Sequence, residues 1–346
     1  MGRAGSTAKR PASIILAPMA TPSEPARVSV IIPARAASDH VERAIRSCLA
    51  QPEVDEVVVA VADEPTRRAA ERVHDPRLML VENPAGSTPV GLNLALGKTT
   101  GDVVVRCDAH AVLPPGYVTR ALATLTATGA VNVGGRQAPR GVSLFERAVA
   151  MAMTSPIGAG DARYRLGGPP GPVDTVYLGV FRRDALEAVG GFDETLERNQ
   201  DYELNFRLRQ DGGVVWFDPE LAVEYRPRGS IPRLWHQYYQ YGYWKSVVLR
   251  RHPGSLRWRQ LAAPALLVGL AGSVVGWLAG FRYAAALPVT YAAGTIMAAG
   301  IDGLRRRDPA AIVEPAALWT MHLGWGFGFI AGLLSGRSRG PRPRSR

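Results

Sequence analysis

Cysteine is nearly absent from this chain: Cys48 and Cys107 are the only two among 346 residues. Both fall inside apolar runs and neither has a CxxC neighbour. That excludes a disulfide framework and points to a reducing compartment. A Walker-type phosphate loop and a GxGxxG turn are missing too, which argues against kinases and dehydrogenases. Acidic residues are in deficit, 30 against 41 Lys and Arg, for a formal charge of +11. Such a balance asks for an anionic partner, but much of the excess is local. Arg305-Arg306-Arg307 lie between two apolar stretches, and Arg337, Arg339, Arg342, Arg344 and Arg346 crowd the end. Basic clusters beside apolar segments fit anchors on acidic lipid head groups at a cytoplasmic face. No nucleic-acid motif accompanies the charge, so no nucleic-acid partner is expected. A secretory signal is also lacking. The apolar patch Ile14-Ile15-Leu16 is short and lies between Pro11 and Pro18, so residues 1–27 are expected to be a disordered leader.

What is present begins with short β-branched runs that alternate with helical patterns. Val28–Pro33, Glu56–Val61, Leu78–Val81 and Asp102–Cys107 have the unbroken apolar character of strands buried on both faces. Between them, Asp39–Ala50 follows Ser38 as a capping residue, Thr66–Val73 forms a second helix, and Thr88-Pro89 opens a third. The β-α-β-α-β-α-β order predicts an α/β fold, a doubly wound parallel sheet with helices on both faces. Ligands of such sheets bind at the carboxyl ends of the strands. That rim would hold Pro33, Asp63, Asn83 and Asp108. The domain is expected to run over residues 28–226, with a Gly/Pro-rich stretch from Gly158 to Pro172 as a lid over bound substrate.

Beyond residue 227 the character changes. Leu234–Lys245 is crowded with Trp and Tyr and is followed by Arg250-Arg251, so residues 227–260 are expected to form an interfacial aromatic and basic segment. Leu261–Gly280 and Tyr283–Ile301 then run for 20 and 19 residues without Asp, Glu, Lys or Arg, enough to span a bilayer as helices. Only Phe281 and Arg282 separate them, so they form a tight hairpin. Pro315–Gly336 is a third apolar stretch. A full third crossing would place the basic tail, residues 337–346, outside, against the positive-inside tendency. A re-entrant or interfacial path is the alternative. The expectation is a multi-pass protein of the cell membrane with its main domain on the cytoplasmic face.

Chemistry centres on Asp108-Ala109-His110, directly after the strand Val103–Cys107. Residues i and i+2 of an extended segment point the same way. A carboxylate and an imidazole there suit a divalent cation; Mn²⁺ accepts nitrogen more readily than Mg²⁺ does. Gln200-Asp201-Tyr202-Glu203-Leu204 opens a helical pattern that Asp201 is placed to cap. Glu203 lies four residues before Arg207, a helix-stabilising spacing.

Val28–Pro33, Asp63, Asp108-Ala109-His110, Gly190-Gly191-Phe192-Asp193-Glu194 and Gln200–Leu204 occur in the order that marks family 2 glycosyltransferases, and the chain resembles them over roughly Val28 to Lys245. The Asp-x-His form and the trailing apolar segments look most like succinoglycan-type exopolysaccharide glycosyltransferases. The resemblance implies a GT-A nucleotide-sugar-binding domain followed by C-terminal membrane helices. It implies Asp201 as catalytic base and Asp108 and His110 at a divalent metal, Mn²⁺ or Mg²⁺. For donor binding it implies Pro33, Asp63, Asn83, Asn93, Asp108 and Gly179, the last as the small residue of a loop facing the sugar. The donor is UDP- or GDP-linked, since a carboxylate at Asp63 can accept from either base. The acceptor is a lipid-linked or polysaccharide chain. Departures from the pattern are Ala62 and Gln200, which replace acids, Glu64-Pro65, which replace Gly-Ser, His110, where Asp is usual, and Tyr243, which replaces the arginine of the Gln-x-x-Arg-Trp motif at Gln240–Trp244. Two rival readings remain, a polyprenyl-phosphate monosaccharide synthase and an inactive GT-A-fold binding or scaffold protein.

Overall fold

The computed structural model describes residues 26–336; the expected leader up to residue 25 and the basic tail from 337 lie outside them. The expected alternation is present: β1 (Val28–Ala34), α1 (Val41–Leu49), β2 (Val54–Val61), α2 (Glu64–Glu71), β3 (Leu78–Glu82), α3 (Thr88–Leu96) and β4 (Val103–Arg106). β3, β2, β1 and β4 lie side by side and parallel. Alternation along each strand explains the two helical layers. Val28, Val30 and Ile32 face α1, α2 and α4 (Tyr117–Thr128), while Ile31 faces the layer that holds α3. Each such Val or Ile contributes about 1.5–3 kcal/mol on burial, so these strands are committed to the centre of the sheet. Helix starts differ from expectation by a residue or two. The residue before α1 is His40 rather than Ser38, and the one before α3 is Ser87 rather than Thr88; neither side chain makes a capping bond.

The second half of the sheet is mixed, with one parallel pair among antiparallel ones. After β5 (Asn132–Pro139) come α5 (Leu144–Met153), the one-turn helices α6 (Pro156–Ala159) and α7 (Arg163–Leu166), the two-residue β6 (Gly171–Pro172), and β7 (Tyr177–Arg182). β7 lies between β4 and β5 and is antiparallel to both, which corrects the all-parallel expectation. Antiparallel neighbours can be joined at one end without a crossover. The excursion from Pro139 to Tyr177 therefore leaves and re-enters at the rim where β4 ends. The segment expected as an open loop is folded into α6, α7 and β6 beside that rim. α8 (Arg183–Ala188) and α9 (Gln200–Gln210) follow, and β8 (Val215–Tyr225) completes the sheet beside and parallel to β5.

α10 (Ile231–Arg251) carries the aromatic segment, but its rings are not left at a surface: Tyr238, Tyr243 and Trp244 are buried within the protein. The reason lies in the third apolar stretch. α11 (Trp258–Leu278), α12 (Ala286–Arg306) and α13 (Glu314–Leu334) follow, and a Cβ on Gly328 of α13 would stand 2.0 Å from the backbone oxygen of Tyr239. A Cβ on Gly242 of α10 would stand 2.1 Å from that of Trp325. Small residues let the two backbones meet, and the aromatic rings close over the seam. Helices from Trp258–Leu278, Arg282–Arg306 and Glu314–Leu334 are each long and apolar enough to cross a membrane. The first two expose nearly all their apolar surface, whereas α13 is half-buried against α10, α11 and α5. Gly328→Ala should lower stability by about 1–3 kcal/mol through overpacking. Gly300→Ala, where a Cβ meets open space, should be close to neutral. Thermal unfolding of the two variants in detergent checks the contrast.

Candidate active site

Topology brings the two candidate carboxylates together. Asp108 follows β4 at the carboxyl rim. α9 starts at the same rim, with Asp201 as its second residue, in the first turn where the helix dipole favours an anion. Asn199, in the left-handed conformation at φ 62°, turns the chain into α9, and its side-chain amide donates to the Tyr241 carbonyl at 3.0 Å. Between the carboxylates lies Arg106, the last residue of β4 and only 5% exposed. Its Nη2 and Nε donate to Asp108 Oδ1 at 2.9 and 3.2 Å, and its Nη1 pairs with Asp201 Oδ1. One buried guanidinium thus ties the residue expected at the donor to the residue expected at the acceptor. Burial opposes ionisation of Asp108, but Arg106, His110 and Arg198 outweigh it and hold the carboxyl below its usual range. The Asp108 side chain is 19% exposed and that of Asp201 42%, so Asp201 is the more open of the two.

Sequence reasoning missed Arg106. The signal was present, because a charged residue closing a run of buried β-branched residues requires a partner. It also missed Tyr177. The register that pairs Val105 with Val180 brings the start of β7 to the end of β4, and Tyr177 lies within the electrostatic reach of Asp108.

The other expected donor-site residues fall along or behind this rim. Pro33 pairs with Ala60 near the end of β1. Asp63 caps α2: Oδ1 accepts from the amide and hydroxyl of Thr66 at 3.0 and 2.7 Å, and Oδ2 accepts from the Ala36 amide at 2.6 Å. Burial opposes its ionisation, yet these donors and Arg35 hold its carboxyl below the ordinary value. Asn83 is buried, donates to the Ser87 carbonyl at 3.0 Å, and has no partner on Oδ1. Asn93 uses both ends of its amide on the Gly190–Glu194 loop, donating to the Phe192 carbonyl and Glu194 and accepting from the Phe192 amide. The structure gives it a loop-holding position. Gly179 lies inside β7 rather than in a loop, one residue beyond the Val105–Val180 pair and so beside Arg106. A Cβ there would meet Asn132 Oδ1 at 2.5 Å. Glu203 pairs with Arg207 at 2.7 Å as its spacing predicts, and also contacts His252 at 2.9 Å.

Two protein ligands for a divalent cation are credible on chemistry. Asp108 Oδ2 meets no protein donor among the described residues, the carboxyl is held ionised, and the exposed ring of His110 acts on it electrostatically. An oxygen and an imidazole nitrogen fit Mn²⁺ and, less well, Mg²⁺. No cluster of three or more His, Cys, Asp or Glu forms among the described residues, so a bound cation would take its remaining ligands from the donor diphosphate and water.

A half-parallel sheet extended by an antiparallel strand, with an acidic motif where β4 ends and a second carboxylate at the start of α9, defines a GT-A-type glycosyltransferase. Residues 29–190 match the model of Glycosyl transferase family 2. The succinoglycan biosynthesis protein ExoA of Rhizobium meliloti (strain 1021) is 29% identical over 322 residues, 90% of this chain and 96% of that protein. A Methanococcus voltae protein named dolichyl N-acetyl-alpha-D-glucosaminyl phosphate 3-beta-D-2,3-diacetamido-2,3-dideoxy-beta-D-glucuronosyltransferase is 28% identical over 170 residues, 48% of this chain and about half (49%) of that one. Among solved structures, the mannosyltransferase PcManGT from Pyrobaculum calidifontis, in complex with GDP-Man and Mn²⁺, superposes with a TM-score of 0.58. It is 21% identical and covers 91% of this chain and 89% of its own, a likeness of fold.

Proposed function

We propose that this glycosyltransferase moves a sugar, with inversion, from a nucleotide-sugar to a lipid-linked or polysaccharide acceptor at the cytoplasmic face of the cell membrane, in the synthesis of a surface polysaccharide. The observation that carries the reading is the convergence of Asp108 and Asp201 on Arg106 at the carboxyl rim. The printed names of the two relatives, one in succinoglycan biosynthesis and one acting on a dolichyl-linked sugar phosphate, support the acceptor class. The long apolar helices support the location.

In this scheme Asp63 accepts from the base of a UDP- or GDP-linked donor, and the rim at Pro33, Asn83 and Gly179 shapes its binding. Asp108 and His110 would hold a divalent cation, which when bound offsets the negative charge that builds on the departing diphosphate. Asp201 takes the proton of the acceptor hydroxyl as its oxygen bonds to the anomeric carbon. The bond from that carbon to the diphosphate breaks on the opposite face, which inverts the configuration. Arg106, fixed by burial, aims Asp201 at the acceptor while keeping Asp108 at the donor.

The test is a nucleotide-release screen of the full chain in native membrane lipid, across UDP- and GDP-sugars with Mn²⁺ or Mg²⁺. Turnover of one donor that depends on a saccharide-bearing lipid is expected. Turnover on bare polyprenyl phosphate would select the monosaccharide-synthase reading instead. Donor binding with no transfer to any acceptor would overturn both.

A further inference from the structure

Most arginines packed into the domain near the cleft have a carboxylate. Arg259 has Asp161 and Asp174, Arg207 has Glu203, and Arg251 has Asp193. Arg165, at the centre of α7, does not. Its Nη1 donates to Tyr238 Oη at 2.9 Å and its Nε to Tyr164 Oη at 3.2 Å. The guanidinium carbon lies 5.4 Å from the Tyr164 ring centre and 5.9 Å from that of Tyr238. No ion pair to Arg165 forms among the described residues, and its hydrogen-bond partners there are neutral phenol oxygens. A half-buried cation without a counter-ion is costly unless an anion joins it. Two of its five N–H groups are engaged, which leaves three. Each tyrosine oxygen that accepts from Arg165 also carries an O–H, for which no acceptor appears among the described residues.

Its place ties it to the acceptor side. Tyr238 and Tyr241 are one turn apart on α10, about 5 Å along the axis. Tyr238 holds Arg165, and the Tyr241 carbonyl holds Asn199, two residues before Asp201. Arg198, exposed and in no ion pair among the described residues, acts on both Tyr241 and Asp108. Arg198 thus reaches from the donor rim to Tyr241, beside the tyrosine cage of Arg165. We propose that Arg165, with Tyr164 and Tyr238, binds the phosphate or diphosphate through which the acceptor saccharide is joined to its lipid carrier. This rests on the reading of Asp201 as the group that faces the acceptor.

The experiment uses the full chain in detergent with EDTA present, and three probes: farnesyl diphosphate, farnesol and inorganic pyrophosphate. Farnesyl diphosphate should bind at least tenfold more tightly than either of the others. Arg165→Gln should abolish that preference while donor-nucleotide affinity, measured separately with Mn²⁺ in place of EDTA, is unchanged. Tyr238→Phe, which keeps the ring and removes one donor, should lose part of it. Arg165→Lys, which keeps the charge, should retain part of it and serves as the folded control by thermal melt. Equal binding of farnesyl diphosphate to wild type and Arg165→Gln would overturn the proposal, as would farnesol binding as tightly as the diphosphate. Pyrophosphate binding as tightly as farnesyl diphosphate would assign the site to free phosphate and overturn the carrier assignment. Weakened nucleotide binding in Arg165→Gln would give the cage to the donor and also overturn it. The functional reading fails separately: an Arg165-dependent diphosphate site in a protein that turns over no donor would leave the site standing and sink the transferase assignment.

Discussion

Asp201→Asn should lower transfer by about 10²–10⁴-fold, the usual range for loss of a general base, and leave nucleotide affinity within twofold of wild type. The amide keeps the shape of the carboxyl but cannot accept the acceptor's proton. Asp108, proposed to face the donor, keeps its two bonds from Arg106, so the donor side should stay intact. Position supports the separation of effects. Asp201 belongs to the first turn of α9 and is the more exposed of the two carboxylates, whereas Asp108 lies just beyond the end of the central strand β4. Single-turnover transfer and calorimetric nucleotide binding, measured on the same preparation, check it. Turnover within tenfold of wild type would remove Asp201 from the base role.

Arg106→Met should damage both stability and rate. Methionine fits a buried strand end, but it leaves Asp108 and Asp201 facing each other without the cation between them. Breaking a buried ion pair by removing one partner costs about 3–5 kcal/mol. The 42% exposure of the Asp201 side chain places this site toward the lower end or below it, because solvent screens that half of the contact. The rate should fall further than the stability loss explains. Asp201 would no longer be held toward the acceptor, and a nucleophile's base displaced by about 1 Å can cost 10²-fold. Arg106→Lys keeps the charge but cannot fork to two carboxylates. It should recover most of the stability and little of the rate. Melting curves in detergent, read beside kcat and the donor KM, separate the two effects. Wild-type melting and kcat in Arg106→Met would show that the bridge has no consequence.

Legibility differed by element for a physical reason. β1, β2 and β4 were readable because a strand buried on both faces needs an unbroken β-branched run, and Val103–Arg106 has one. Glu203 with Arg207 was readable because both partners lie one helical turn apart. Asp108 and Asp201 were readable as a pair of candidates through motif order alone. β7 was not read as a strand, and its direction depends on where the preceding excursion returns, which no local pattern records. Asn93 looked like a donor contact until the fold placed the Phe192 backbone against its amide. The aromatic run of α10 has the composition of a surface belt. Its burial depended on glycines of α13 that local reading could only mark as small.

The sequence by itself determined the sheet's central strands, the motif residues and their order along the rim, and three helices long and apolar enough for a bilayer, because burial and helix length are properties of contiguous residues. Only the tertiary structure decided that Arg106 joins Asp108 to Asp201, that α13 receives α10, and that Arg165 sits among tyrosines without a carboxylate. Each of these is a contact between residues distant in the chain. The energy of such a contact depends on a position in space that periodicity does not encode.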